Sequence, residues 1–166
     1  DNVCDIVIAP AQVSQKIYAD AQNLAIKVVR HLKGAGVFGV EIFLTKDNNV
    51  LVNEIAPRVH NSGHYTIEGC VTSQFEQHIR AITGLPLGST NLIAKAVIMK
   101  NILGKGDGDG FPKGVEKALS VSGVSLHIYG KKKSRPRRKM GHITVMGDSV
   151  EECLLKANRA RNFLII

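Results

Sequence analysis

The order of apolar and polar positions predicts a helix and then a strand hairpin in the first third of the chain. Residues 14–33 repeat apolar side chains at helical spacing, and Gly34 ends the repeat. The repeating face consists of Ile17, Ala21, Leu24, Val28 and Leu32. Apolar and polar side chains then alternate in residues 37–45 and 50–55, which is typical of half-buried strands. The polar residues 46–49 between them predict a hairpin loop.

A second long helix is predicted after a loop rich in glycine and histidine. Ser73 and Glu76 have the spacing of a capping box, and Gly84 marks the end of the helix. The buried stripe of this helix is predicted to consist of Phe75, Ile79 and Ile82.

The second half of the chain reads as a smaller unit with more strands. Strands are predicted over residues 94–99, 124–129 and 142–146, a short helix over 112–120, and a final helix from Ser149 to about Phe163. Residues 104–110, rich in glycine and aspartate, are predicted to form a surface loop. A shift in composition at residues 84–90 predicts a domain boundary, with residues 1–88 in one domain and 89–166 in another.

Composition is typical of a soluble globular protein in a reducing compartment. The 166 residues are 44% apolar with a mean hydropathy near zero, and no apolar stretch is long enough to cross a bilayer. Cys4, Cys70 and Cys153 lie far apart, without a Cys-x-x-Cys pair. The chain carries no secretory signal, so a cytoplasmic location is expected. It opens inside an apolar stretch, as expected of a piece of a longer protein.

An excess of positive charge points to an anionic partner. The net charge is +8, and seven of the nine residues 131–139, here called the basic segment, are lysine or arginine. Strand-like residues precede and follow the basic segment, so we predict a loop with a rigid base. Such a loop can hold phosphate oxygens through bidentate arginines. A solvated loop, a localisation signal and a nucleic-acid patch remain alternatives.

Two glutamates of the predicted hairpin face each other. If residues 46–49 are the loop, Thr45 pairs with Val50 and Glu41 lies directly opposite Glu54. A two-residue turn would shift the register but leave both glutamates on one face. Opposed side chains have Cβ atoms about 4.5–5.5 Å apart, where like charges destabilise a strand pair. Mg²⁺ between them would remove the conflict. Two glutamates on a solvated face would need no ligand.

A cluster of polar side chains follows Glu54. The cluster consists of Arg58, His60, Asn61 and His64. It offers hydrogen-bond donors and titratable imidazoles that can orient a small oxyanion and transfer a proton. The alternative is a polar loop that satisfies its own backbone. The paired acids directly before the cluster favour a site.

Several motifs around these residues occur together in one enzyme family. They are Phe38-Gly39-Val40-Glu41, Asn53-Glu54-Ile55-Ala56-Pro57-Arg58 and His60-Asn61-Ser62-Gly63-His64-Tyr65-Thr66-Ile67, extended by residues 71–78, 84–88 and 135–142. The combination resembles the N5-carboxyaminoimidazole ribonucleotide synthetases, and within them the synthetase portion of the fused fungal enzyme. The resemblance covers nearly the whole chain. It implies an α+β fold, with the C-terminal part of an ATP-grasp domain and its mostly antiparallel sheet, followed by a small β-rich subdomain with a closing helix.

The resemblance also implies an activity. The family uses ATP and bicarbonate to carboxylate 5-aminoimidazole ribonucleotide through carboxyphosphate, in de novo purine synthesis. Glu41 and Glu54 would hold Mg²⁺ on the phosphates of ATP, with Asn53 also at the nucleotide. The whole enzyme is expected to be a homo-oligomer.

Further residues are implied for the other two substrates. The bicarbonate and carboxyphosphate pocket would contain Arg58, His60 and Asn61. The phosphate of the ribonucleotide would be held by Arg138 and by Lys131 or Lys132, between which the crowded basic segment leaves the choice open. Val59 departs from the family pattern, which usually has proline there, but removes no reacting group.

Parts of the family's active centre are not found in the sequence. These are a glycine-rich lid with its lysine and an N-terminal domain, so the chain is expected to be a C-terminal fragment that is inactive alone. The main alternative is a basic module that binds nucleic acid. Against it, only Tyr129 lies near the basic segment, whereas single-strand binders supply several stacking side chains. A structural dimerisation module is a third interpretation.

Overall fold

The computed structural model describes residues 3–166. The strands are β1 Ile6–Ala9, β2 Gly39–Leu44, β3 Val50–Ala56, β4 Ala96–Leu103, β5 Gly108–Asp109, β6 Val124–Ile128, β7 Lys133–Ser134 and β8 Lys139–Gly147. The α-helices are α1 Gln15–Leu32, α2 Thr66–Gly69, α3 Gln74–Thr83, α4 Val115–Leu119 and α5 Val150–Phe163, and a 3₁₀ helix spans Asn61–Gly63. Helices capable of crossing a bilayer, long and apolar enough for it, are absent from residues 3–166.

The chain divides into two compact units. Ala11–Asn91 form the hairpin unit, and Leu92–Ile166 form the sheet unit together with the described residues up to Pro10. The sequence assigned all of residues 1–88 to one domain, whereas β1 pairs antiparallel with β4 of the sheet unit. This part of the assignment is corrected, because an apolar pattern predicts a strand without indicating its partner. The functional labels given to the two domains stay predictions.

The sheet unit is built on an antiparallel sheet in the order β1-β4-β8-β6, which agrees with the predicted α+β class. Helix α5 packs on one face of this sheet through small buried side chains, which let the helix approach closely. These side chains are Cys153, Ala157 and Ala160. The Oγ of Ser149 accepts a hydrogen bond from the backbone N of Glu152 at 3.2 Å, so α5 begins at its predicted cap.

The hairpin unit begins with α1, whose ends lie where the sequence predicts them. Ser14 caps the helix by accepting from the backbone N of Ile17 at 3.3 Å, and Lys33 ends it in the left-handed conformation. Four of the five residues of the predicted apolar face are partly buried. Leu32 is 48% exposed.

Helix α3 also has its predicted ends but faces the other way. Ser73 caps it, and Gly84 ends it with a φ of +72°. The predicted buried stripe is wrong: these side chains, Phe75, Ile79 and Ile82, are 42–53% exposed. The opposite face carries Gln74, Gln77 and His78, each of which bonds backbone groups of a loop. Loop backbones have no ladder partner, so their polar groups outcompete apolar side chains for this face.

Candidate functional site

The pairing near the turn of the β2–β3 hairpin differs from the prediction by one residue. Leu44, not Thr45, pairs with Val50. The backbone N of Thr45 instead donates to the backbone O of Asn49 at 2.9 Å, closing a tighter turn than the four-residue loop assumed.

A β-bulge restores the predicted pairing of the two acids. In a regular ladder from this turn, Glu41 would face Asn53, and Glu54 would point to the other side of the hairpin. The register instead shifts next to Glu41, which pairs with Glu54 and leaves Asn53 as the extra residue. The opposition of Glu41 and Glu54 is therefore confirmed. It depends on the bulge, which the alternation pattern did not predict.

The surroundings of Glu41 suit a divalent cation better than a salt bridge. Asn53 Nδ2 donates to Glu41 Oε2 at 3.2 Å, and His60 Nε2 lies 3.6 Å from Glu41 Oε1. Within residues 3–166, neither Glu41 nor Glu54 forms an ion pair with a lysine or arginine. Nor does this part of the chain contain a cluster of three acidic, histidine or cysteine side chains that could enclose a metal. Two carboxylates that leave the remaining positions to water and phosphate fit Mg²⁺.

His60 connects this hairpin to the loop that follows it. Its side chain is 14% exposed, with Nδ1 at 2.7 Å from the Oγ of Ser62 and Nε2 directed at Glu41. Gly39 makes the approach possible, because a Cβ added there would lie 2.6 Å from the Cβ of His60. The φ of Gly39 is not in the left-handed region, so the requirement is one of space alone.

Arg58 and Asn61 flank His60 on the same loop. Arg58 is exposed, and its Nη1 donates to the backbone O of Val59 at 3.0 Å. Asn61 is partly buried at the start of the 3₁₀ helix, where its backbone O accepts from the N of His64 at 3.1 Å. The structure thus presents a guanidinium, an imidazole and an amide within four residues, next to the paired acids.

Sequence reasoning gave no role to Gln74, which holds this loop in place. Gln74 is 7% exposed and bonds both backbone groups of His60. The available signal was its spacing from Gln77, because residues three apart share a helix face. Two amides on one face indicate that this face needs hydrogen-bond partners when it is buried.

The basic segment lies in the sheet unit and is partly ordered by pairing. Its strand β7 pairs with β5, so the predicted surface loop 104–110 contains a short strand instead. The backbone N of Gly104 donates to the O of Arg138, and the N of Arg137 donates to the O of Gly104, both at 2.9 Å. Arg138 Nη1 donates to the backbone O of Lys133 at 2.8 Å. The cations therefore stand on a fixed backbone.

Lys131 and Lys132 have different surroundings. Lys132 is exposed, whereas Lys131 is partly buried, with its Nζ donating to the backbone O of Lys139 at 2.6 Å. The same Nζ lies 5.5 Å from the centre of the Tyr129 ring. Burial lowers the pKa of Lys131 below its ordinary value, and the charges of Arg138 and Lys139 lower it further. Lys131 is the more fixed of the two ammonium groups.

The predicted site residues thus form two groups. The hairpin unit holds the acids and the polar loop, with Glu41, Asn53, Glu54, Arg58, His60 and Asn61. The sheet unit holds Lys131, Lys132 and Arg138. The roles of both groups stay predictions at this point.

Two protein-family models match the sequence. The ATP-grasp domain matches residues 1–75, and the phosphoribosylaminoimidazole carboxylase C-terminal domain matches residues 97–156. The first includes the bulged hairpin and the polar loop, and the second includes the basic segment.

Curated and solved proteins of similar sequence extend these matches. Phosphoribosylaminoimidazole carboxylase of Schizosaccharomyces pombe is 51% identical over 158 residues, which are 92% of this chain and 29% of that protein. N5-carboxyaminoimidazole ribonucleotide synthetase from Thermotoga maritima superposes with a TM-score of 0.90 at 56% identity, over 96% of this chain and 45% of that one. N5-carboxyaminoimidazole synthase from Aspergillus clavatus, in complex with ADP and 5-aminoimidazole ribonucleotide, gives 0.87 at 45% identity over 98% and 44%. The chain therefore spans less than half the length of each.

Proposed function

Because the chain belongs to the N5-carboxyaminoimidazole ribonucleotide synthetase family of ATP-grasp proteins, we propose that the protein carrying it makes N5-carboxyaminoimidazole ribonucleotide. The substrates are ATP, bicarbonate and 5-aminoimidazole ribonucleotide, in de novo purine synthesis. The thiols of the buried Cys70 and Cys153 fit the reducing cytoplasm as its location.

The observation that carries the proposal is the opposition of Glu41 and Glu54 across the bulged hairpin. These carboxylates would hold Mg²⁺, which when bound neutralises charge on the phosphates of ATP. Asn53, whose amide already donates to Glu41, orients that carboxylate toward the metal. A lysine or arginine paired with these carboxylates would have neutralised their charge without a metal. Within residues 3–166, no lysine or arginine forms such an ion pair.

The reaction proceeds by two displacements. An oxygen of bicarbonate attacks the γ-phosphorus of ATP, ADP leaves, and carboxyphosphate forms. The exocyclic amine of the ribonucleotide then attacks the carboxyl carbon, inorganic phosphate leaves, and the nitrogen gives up a proton. Both steps develop negative charge on oxygen, so positioned donors stabilise them.

The loop after the hairpin supplies these donors. Arg58 and Asn61 would hold the oxygens of bicarbonate and carboxyphosphate, and His60 has its Nε2 3.6 Å from Glu41 Oε1. His60 is fixed through Ser62 on one nitrogen and Glu41 on the other, so its ring cannot rotate freely. In the sheet unit, Arg138 and Lys131 would hold the phosphate of the ribonucleotide, and the surroundings of Lys131 favour it over Lys132 for this role.

Release of ADP by the purified protein that carries this chain tests the proposal. Carboxylated ribonucleotide should form only when ATP, Mg²⁺, bicarbonate and the ribonucleotide are all present, with one ADP released per carboxyl group added. Omission of each component in turn is the control. Equal release of ADP without bicarbonate, or product without added carboxyl, would refute the proposed reaction.

A further inference from the structure

The first residue of α3 is bonded to the loop that carries His60 and Asn61. Gln74 has its side chain buried, 7% exposed, and directed at His60. Nothing in the reaction proposed above uses Gln74. Its hydrogen bonds show what it does.

The side-chain amide of Gln74 bonds the backbone N–H and C=O of His60, as the backbone of a neighbouring strand would. His60 is extended, with φ −121° and ψ 147°, so its N–H and C=O point to the same side. His60 N donates to Gln74 Oε1 at 2.9 Å, and Gln74 Nε2 donates to His60 O at 2.8 Å. A carboxamide offers the acceptor and the donor side by side that this arrangement requires, at any pH. Glutamate would lose the donor, and methionine would lose both.

These two bonds also determine the protonation of a second histidine. A backbone N–H can only donate, so the amide atom that bonds His60 N must be Oε1. The atom that bonds His60 O must then be Nε2. Gln74 Nε2 is 2.9 Å from Nδ1 of His64, and because Nε2 is a donor, that ring nitrogen must accept. The neutral imidazole of His64 therefore carries its proton on Nε2. Phe75 stacks on the same ring with centroids 5.5 Å apart.

The backbone of the same residue ties down the rest of the loop. Gln74 N donates to Thr66 Oγ1 at 2.9 Å, and Thr66 Oγ1 donates to Gly63 O at 2.6 Å. Gly63 leaves the space that the amide occupies, because a Cβ there would lie 2.5 Å from Gln74 Oε1. The loop is thus held at His60, Gly63, His64 and Thr66 from a single helix terminus.

We infer that Gln74 is a positioning residue for the loop that carries His60 and Asn61. It fixes the backbone of His60 and the tautomer of His64. This inference rests on the proposed function for its effect on turnover. Its effect on His64 does not depend on the reaction.

The same helix offers a matched control. Gln77 makes the equivalent pair of bonds to Gly88, with Nε2 donating to Gly88 O at 2.6 Å and Oε1 accepting from Gly88 N at 3.0 Å. Gln77→Met removes a pair of side-chain bonds to one residue's backbone, as Gln74→Met does, whereas Gln74→Met also removes the bond to His64 Nδ1. Gln77→Met leaves the loop of His60 untouched, so the two variants separate positioning from stability.

Both variants are made in the protein that carries this chain, and kcat, KM and thermal unfolding are measured. We expect both to lower the unfolding temperature by similar amounts. Gln74→Met should lower kcat on the order of tenfold to a hundredfold, because misplacing a reacting loop by about 1 Å has effects of that size. The KM for ATP should not change, and Gln77→Met should retain kcat. Equal losses of kcat in the two variants would overturn the positioning role.

The tautomer of His64 gives a readout that does not require activity. ¹⁵N NMR of the histidine rings, assigned with a His64→Asn variant, should show His64 protonated on Nε2 in the wild type. In Gln74→Glu a carboxylate oxygen would face Nδ1, which should then carry a proton. A wild-type His64 protonated on Nδ1 would overturn the inference. If the wild type shows no bicarbonate-dependent turnover, the proposed function fails, and this spectrum still decides the role of Gln74.

Discussion

Single charged residues of the basic segment differ in how the fold constrains them. Arg138 stands on a backbone fixed by Gly104 and bends its guanidinium to the O of Lys133. Lys131 is held over Tyr129 with a lowered pKa. These differences predict separate effects of mutation at the two positions.

Arg138→Ala should weaken binding of the ribonucleotide by about 1.5–3 kcal/mol, the worth of a charge-assisted hydrogen bond to phosphate. ATP affinity should change little. Isothermal titration with each ligand measures the difference, and Arg135→Ala, at an exposed position of the same segment, is the control. Equal weakening of both ligands would mean that the segment acts only through its overall charge.

Lys131 predicts a pH dependence. Burial, with Arg138 and Lys139 adding to it, lowers its pKa from the ordinary 10.5, so it loses its charge at a lower pH than a free lysine. Affinity for the ribonucleotide should therefore fall as the pH rises, in a range below 10.5. Lys131→Arg keeps the charge and should abolish the fall, whereas Lys132→Arg should leave it. The same fall in Lys131→Arg would assign it to another group.

At the residue scale, part of the candidate site could be predicted from the sequence. Alternation placed Glu41 and Glu54 on one face, and the structure confirms their opposition. The bulge at Asn53 was not predictable, because the alternation pattern carries no mark of an extra residue. Gln74 was missed because two of its partners are the backbone groups of His60, which its spacing from Gln77 does not identify.

Among the elements, ends were easier to predict than faces. The caps Ser14, Ser73 and Ser149 bond backbone groups three residues away, so a short window of sequence contains the whole interaction. Which side of α3 faces inward depends on distant loops that need hydrogen-bond partners. Apolar periodicity alone therefore chose the wrong face.

Strand β2 predicts a steric test of the site. Gly39→Ala would place a Cβ 2.6 Å from the Cβ of His60, pushing that loop away from Glu41. We expect a loss of about 1–3 kcal/mol in the free energy of unfolding, typical of overpacking, together with a lower kcat. Urea unfolding and steady-state kinetics measure the two effects.

The control for this test is Gly108→Ala, where an added Cβ meets nothing within 4 Å. It should leave both stability and kcat close to wild type. Wild-type kcat in Gly39→Ala would show that the contact between β2 and His60 does not position the loop.

At the scale of the whole molecule, the net charge alone does not distinguish nucleic acid from a phosphorylated small molecule as the partner. The charge of +8 would suit nucleic acid. Tyr129, the aromatic side chain nearest the basic segment in sequence, is engaged by Lys131 and bonds Nδ1 of His142 through its hydroxyl at 2.9 Å. It is therefore a poor platform for stacking a base.

We accordingly expect weak binding of single-stranded RNA at physiological salt. Fluorescence anisotropy with a labelled oligonucleotide, repeated at rising salt, measures it. Tight binding with a steep salt dependence would favour the nucleic-acid module instead.

At this scale the sequence predicted the boundary between the units but not the unit to which β1 belongs. The predicted boundary at residues 88 and 89 lies close to the observed one after Asn91, because glycine and proline punctuate the chain there. The return of β1 to pair with β4 spans some ninety residues and has no local signature.

The account depends most on Glu41 and Glu54 as the metal-binding pair. The most direct measurement is the affinity for ATP with and without Mg²⁺, in the wild-type protein and in Glu54→Gln, with Asp47→Asn in the turn of the same hairpin as control. We expect Mg²⁺ to strengthen ATP binding in the wild type and in the control, and to have no such effect in Glu54→Gln, which should unfold at the wild-type temperature. A wild-type response to Mg²⁺ in Glu54→Gln would contradict the assignment of the metal to this pair.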